Sequence, residues 1–205
     1  MVHLGLVDDF NLIKIFEDSV SSTRELFFGN RWDPTLCPQD GKWFKPFTSA
    51  LLLLLLHNDP DEIVKLASWC RVDLDPGFSG PENPPEMASL YLIVASSLLP
   101  NQIPGIDDRI AEVSKARERA TQGLWKIWQA IESGDQGAFE KTLTDSLKHF
   151  DSRPKPNNRS TFIGERIARH QSVLALVAMQ RGLRLPELPE KLSARLLTRK
   201  SIGLE

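Results

Sequence analysis

The chain has 205 residues and a mass of 23.1 kDa, with 41% hydrophobic and 25% charged residues, ordinary proportions for a globular protein with a sizeable core. A formal charge of −2 and a pI near 6.1 carry no overall signature of nucleic-acid binding. Cys37 and Cys70 are too few for a disulfide framework, and the opening MVHLGLVDDF lacks the features of a secretory signal, so the expected compartment is the cytoplasm.

Phe10, Ile13, Phe16, Val20 and Phe27 recur at helical spacing and predict a helix from about Val7 to Phe28, stopped by Gly29-Asn30. Residues 30–42 hold two prolines and a glycine and read as an ordered loop. Pro46 then suits a first helical turn, and Leu51 to Leu56 follow as six consecutive leucines. An apolar run this short falls far below the roughly 20 residues that span a bilayer. A helix apolar all round is instead a buried central one, and no membrane partner is expected.

Asn58-Asp59-Pro60-Asp61-Glu62 restarts the helix, with Asp59 as N-cap, Pro60 at the first position and Glu62 completing a capping box. Ile63, Leu66, Ala67 and Cys70 form its stripe, so residues 46–70 predict a helical hairpin. Residues 71–85 form a loop rich in Pro, Gly and acids, before the apolar helix EMASLYLIVASSLL. Ile106, Ile110, Val113, Ala120, Leu124, Ile127 and Ile131 keep a four-three alternation, broken only by Arg117. That pattern predicts one helix of about 25 residues, bent at Gly123. Ser133-Gly134-Asp135 ends it and caps the next, where Phe139, Leu143, Leu147 and Phe150 align.

Residues 151–160 read as a polar internal linker, followed by a helix from about Phe162 to Gln180 and a basic C-terminal tail over 183–205 containing a short helix. No segment carries the period-two pattern of a strand. The expected fold is all-α, a single domain over 1–205 of seven or eight helices packed as hairpins, in an irregular bundle or short α-solenoid. Asp59-x-x-x-Ile63-x-Lys65 and Asp135-x-x-x-Phe139-x-Lys141 form an internal echo, from duplication or from shared capping rules.

The familiar catalytic patterns do not occur. His3, His57, His149 and His170 lie far apart, none within three or four residues of another His or Cys, so no metal site is expected. There is no G-x-S-x-G elbow, neither cysteine stands in a catalytic signature, and Gly77-Phe78-Ser79-Gly80 lacks phosphate-loop spacing. The expectation is a protein that is not an enzyme and uses no cofactor. Trp32 and Trp43, in or beside a loop, serve either core or interface.

Charge is unevenly distributed. Residues 1–140 carry 12 Lys and Arg against 21 Asp and Glu, while residues 141–205 carry 13 against 6. This implies separate faces with different partners, or an internal electrostatic fit. Arg153, Lys155, Arg159, Arg166 and Arg169, with Arg195, Arg199 and Lys200, form the basic group. It lacks aromatic interleaving, and no nucleic acid is expected.

The stretch Leu124-Trp125-Lys126-Ile127-Trp128, running through Gly134-Asp135 and Ala138-Phe139 to Leu143, resembles the all-helical immunity protein 49 family of bacterial polymorphic-toxin systems. Leu147, Phe150, the segment Ser172 to Gly182 and the hairpin from Phe47 to Trp69 extend the similarity over about residues 40–185. The resemblance implies a cytoplasmic antidote that binds a cognate toxin domain stoichiometrically, with no catalytic residues to carry over. Such toxins often attack nucleic acids through basic clefts, which an acidic face would find by electrostatic steering. The candidate partner-binding residues are Asp73, Asp75, Glu82 and Glu86, with Asp107 and Asp108 across the next helix. The alternative is a tetratricopeptide-like scaffold that binds a peptide or protein partner.

Overall fold

Burial decides the architecture, because three of the segments are apolar on every side. A computed structural model describes residues 9–29, 43–70, 84–153 and 167–204, with the side chains of the first helix described from Lys14 onward. Among the described residues it contains nine α-helices, one 3₁₀ turn and no strand, as the absence of alternating patterns implies. The helices are α1 (Asp9–Phe28), α2 (Phe44–His57), α3 (Pro60–Ala67), α4 (Pro85–Ser97) and α5 (Ile106–Val113). They continue as α6 (Arg119–Ser133), α7 (Gln136–Asp151), α8 (Arg169–Gln180) and α9 (Glu190–Ser193), and the 3₁₀ turn spans Lys200–Ile202.

The leucine run of α2 is core. Phe47, Leu51 and Leu54 are fully covered, Leu55 and Leu56 almost so, and α2 packs on α1, α3 and α8. Each such leucine stabilises the fold by roughly 1.5–3 kcal/mol. In α8 every residue from Gln171 to Ala178 is buried, and in α4 every residue from Met87 to Ser96. One continuous apolar cluster runs from Phe16 on α1 to Leu196 beyond α9. Cys70 belongs to it, and burial pushes its thiol pKa well up.

The local signals at chain turns hold with one exchange of partner. The α1 stripe buries Phe16, Val20 and Phe27. After it the Gly29 N–H meets the carbonyls of Arg24 and Glu25, and a Cβ at Gly29 would sit 2.5 Å from the Glu25 oxygen, so only glycine fits. Asn58 takes the left-handed conformation (φ 61°), and Asp59 accepts from the backbone N–H groups of Asp61 and Glu62. Glu62 does not complete the expected capping box. Its carboxylate accepts from Nε and Nη2 of Arg24 at 2.6 and 3.1 Å, a forked charge-assisted pair that outcompetes a neutral N–H and ties α3 to α1. Asp135 caps α7 through the Ala138 N–H at 2.9 Å, after Gly134 has turned the chain at φ 65°.

Three expectations need correction. The single helix over 106–131 is two, because Lys115 and Ala116 bond only three residues back and Glu118 is extended. Gln122 stabilises the break by donating Nε2 to the Ala116 carbonyl at 2.8 Å. The four-three pattern runs on because both helices turn the same side to the core, and Gly123 lies in unbroken helix. Second, the helix expected from Phe162 begins at Arg169. The backbone at Ala168 is non-helical (ψ 72°), and its N–H is held by the Arg195 carbonyl at 2.8 Å. Ile163 lies outside the described residues. Third, Asp151 is not linker: it ends α7 and is paired with Lys191 and Arg195, while residues 154–160 fall outside the described residues. The split and the four-residue α9 bring the helices among the described residues to nine, against the seven or eight expected.

The tail over 183–205 is largely absorbed into the structure, and this accounts for much of its positive charge. Lys191 and Arg195 share Asp151, whose pKa they hold below the ordinary carboxylate value. Arg199 donates to the carbonyls of Leu56 and His57 and so caps the C-terminal end of α2. Gln136 clamps the segment after α8 from both sides, donating to the Arg184 carbonyl at 2.8 Å and accepting the Arg184 N–H at 2.9 Å.

Candidate functional site

Helix α6 has three faces about a third of a turn apart at 100° per residue. Leu124, Ile127 and Ile131 enter the core. Trp125, Trp128, Gln129 and Glu132 face α4 and α5, and Arg119, Gln122, Gly123 and Lys126 lie beside α7.

The α4–α5–α6 side holds a cavity of about 410 Å³. Ile93 of α4, Ile106 and Ile110 of α5, and Trp125 and Trp128 of α6 give it an apolar lining, edged by Ser96, Gln102 and Glu132. Trp128 is buried, with the Arg181 guanidinium 5.2 Å from its ring, and Arg181 in turn pairs with Glu132. Trp125 is half-buried and Ile110 is 37% exposed. Ile15 and Leu26 of α1 are also exposed large apolar side chains, but Ile110 opens onto a cavity.

The candidate acids distribute around this groove as follows. Asp107 and Asp108 are exposed on the first turn of α5, the turn whose Ile106 and Ile110 wall the groove, where they also complement the helix dipole. Glu86 is half-buried on the first turn of α4. Ser89 bonds Glu112 and Ser96 accepts the Ile103 N–H, so α4 and α5 run antiparallel. Glu86 therefore stands at the opposite end of the hairpin from Asp107 and Asp108. Asp73, Asp75 and Glu82 lie outside the described residues.

Of the two loop tryptophans, Trp43 packs into an aromatic cluster with Phe27, Phe47 and Trp69, at ring separations of 5.2 to 6.5 Å, so its role is core. Trp32 lies outside the described residues.

Two polar clusters carry no sequence signal. The Tyr91 hydroxyl on α4 is hydrogen-bonded to His170 Nδ1 on α8 at 2.7 Å, with Phe44 against both rings. Burial, with Arg169 and Arg153 nearby, lowers the His170 pKa to about 4, and burial raises that of Tyr91. At neutral pH both are uncharged, and the direction of the bond follows the imidazole tautomer. The neighbouring Arg169 reaches Thr48 and Ser49 of α2. At the α2–α3 turn, donor atoms of His57, Asp59 and Glu62 come within 4.8 Å of one another, enough to hold a small cation in principle. Asp59 is occupied as a cap, Glu62 by Arg24, and His57 Nδ1 stands 3.6 Å from Glu62, so the cluster is already a connected ion-pair and capping hub.

No family model, curated protein or solved structure matches the chain. No helix among the described residues is long and apolar enough to cross a membrane.

Proposed function

We propose that the chain is a cytoplasmic immunity protein that binds a cognate bacterial toxin domain and blocks it stoichiometrically, without catalysis, through the α4–α5–α6 groove. The observation that carries this reading is the groove itself. An exposed Ile110 and a half-buried Trp125 border a cavity, beside the exposed pair Asp107 and Asp108. Tryptophan in a partly formed pocket, ringed by polar groups that exclude water, is the usual composition of a binding hot spot. Acidic groups at the rim raise the association rate with a basic partner more than they deepen the final affinity. The stretch that resembles the immunity protein 49 family coincides with the α6–α7 hairpin, so Trp125 and Trp128 belong to both lines of support.

The test is co-purification with the product of the neighbouring gene, together with growth rescue. A stable complex and rescue are expected, and Ile110→Asp is expected to weaken the complex at least tenfold while leaving the helical content unchanged. If no complex forms and growth is not rescued, the immunity reading fails. The second reading, a tetratricopeptide-like scaffold, is favoured by the Asp-capped hairpin entries at Asp59 and Asp135. It predicts binding of an extended or helical peptide instead.

A further inference from the structure

The opposite side of α6 has a different chemistry. Between α6 and α7 lies a second cavity of about 740 Å³, within the range of small-molecule sites. Its floor is set by Gly123, where an added Cβ would stand 3.5 Å from Ser146 Oγ, so the missing side chain leaves depth between the two helices. Ser146 is itself fixed by accepting from Gln171 of α8 at 3.0 Å. Three cations line the walls: Arg119 and Lys126 of α6 and Lys148 of α7, with His149 beside them. The one acid in the lining, Asp145, is only loosely paired with Lys148 at 3.9 Å.

Among the described residues, Arg119 and Lys126 are also left unengaged by protein carboxylates, as are exposed cations outside the groove such as Lys141 and Arg184, but here the two line one cavity. Elsewhere Arg24, Arg109, Arg181, Lys191 and Arg195 each pair with a carboxylate, and Arg199 caps carbonyls. The side chains of Arg119 and Lys126 make no hydrogen bond or ion pair among the described residues. Seven residues apart on α6, they are separated by about 10 Å along the helix axis, a span for more than one anionic group. Arginine's planar fork suits phosphate oxygens, and lysine adds a point charge. Burial lowers the His149 pKa, and Arg119 and Arg153 press it further down against the weaker pull of Glu118, so the groove's field on a neighbouring group is positive.

We propose that the α6–α7 groove is a binding site for a small molecule bearing two or more phosphate groups, held by Arg119, Lys126 and Lys148 over the Gly123 floor. The site is independent of whatever fills the α4–α5–α6 groove. An anion seated there cancels the positive field at His149, so its ring should titrate at higher pH when the site is filled.

The experiment uses the full chain with inorganic tripolyphosphate as probe, at constant ionic strength. Calorimetry is expected to show saturable one-to-one binding, and proton NMR an upward move of the His149 titration. Arg119→Ala/Lys126→Ala should weaken binding at least tenfold, with Arg184→Ala, an exposed arginine outside the groove, as the unchanged control. Circular dichroism checks that each variant is folded. Binding no stronger than that of sodium chloride, or equal binding by the double variant, would overturn the proposal. So would tighter binding of a ten-nucleotide single strand with a steep salt dependence, which would make the face a nucleic-acid surface instead.

Discussion

One helix, α6, divides two grooves of opposite character. On one side Trp125 and Trp128 meet Ile93, Ile106 and Ile110, and the nearby cation, Arg181, is paired with Glu132. On the other, the side chains of Arg119 and Lys126 pair with no carboxylate among the described residues, and they share the lining with Lys148, His149, Asp145 and the hydroxyl and amide groups of Gln122, Thr142, Ser146 and Ser152. The core stripe between them serves both. An amphipathic helix needs about a third of its circumference to fold, and α6 leaves the remaining two thirds to carry separate chemistries. Stability and recognition are thus assigned to different residues of one turn.

That division can be broken at its shared part. Ile127 is fully buried on the core face of α6. Ile127→Ala should cost about 2–5 kcal/mol in denaturant unfolding and weaken binding at both grooves together. Loss at only one groove would show that the two are not built on a common wall.

Acid should act next most strongly, through the buried Tyr91–His170 contact between α4 and α8. The folded-state pKa of His170, about 4, lies below its unfolded value near 6.5, so the unfolded chain takes up the proton first. The contribution is therefore complete above pH 6.5 and is lost as pH falls toward 4, by on the order of 3 kcal/mol. His149 in the basic groove shifts in the same direction, so urea titrations of His170→Gln and His149→Gln separate the two histidines' contributions. His170→Gln should flatten most of the slope between pH 6.5 and 4, and an unaltered slope would refute the assignment.

Smaller effects sharpen the contrast. Trp125→Ala removes a half-buried ring and should cost about 1–2 kcal/mol of stability, with a larger loss in partner binding. Lys126→Ala removes no side-chain hydrogen bond or ion pair among the described residues and should change stability by no more than about 0.5 kcal/mol, while tripolyphosphate affinity falls.

The fold was largely legible in the sequence because its signals are local. The leucines of α2, the caps at Asp59 and Asp135, and the stripes of α1 and α7 each lie within a turn or two of the residues they organise. Misreadings arose where a distant partner intervened. Glu62 left its capping box for Arg24, 38 residues away, and Ala168 is held out of α8 by the Arg195 carbonyl. The break between α5 and α6 was hidden because the apolar phase continues across it. The grooves were less legible still. Trp125 could be singled out, but its neighbours come from two other helices, and Tyr91 meets His170 across 79 positions with no pattern to announce it. The surplus of positive charge after residue 140 was visible, but not that Asp151 and the end of α2 absorb much of it.

The hydrogen bond from Arg199 to the Leu56 carbonyl spans 143 positions. On a ribosome adding about 5–20 residues per second, the most apolar of the described helices is therefore finished about 7–30 s before its cap is made. During that interval the leucine segment is exposed to aggregation or to chaperone capture. Shortening the delay, by circular permutation that brings the Arg199 region ahead of α2, should raise soluble yield without altering the final fold.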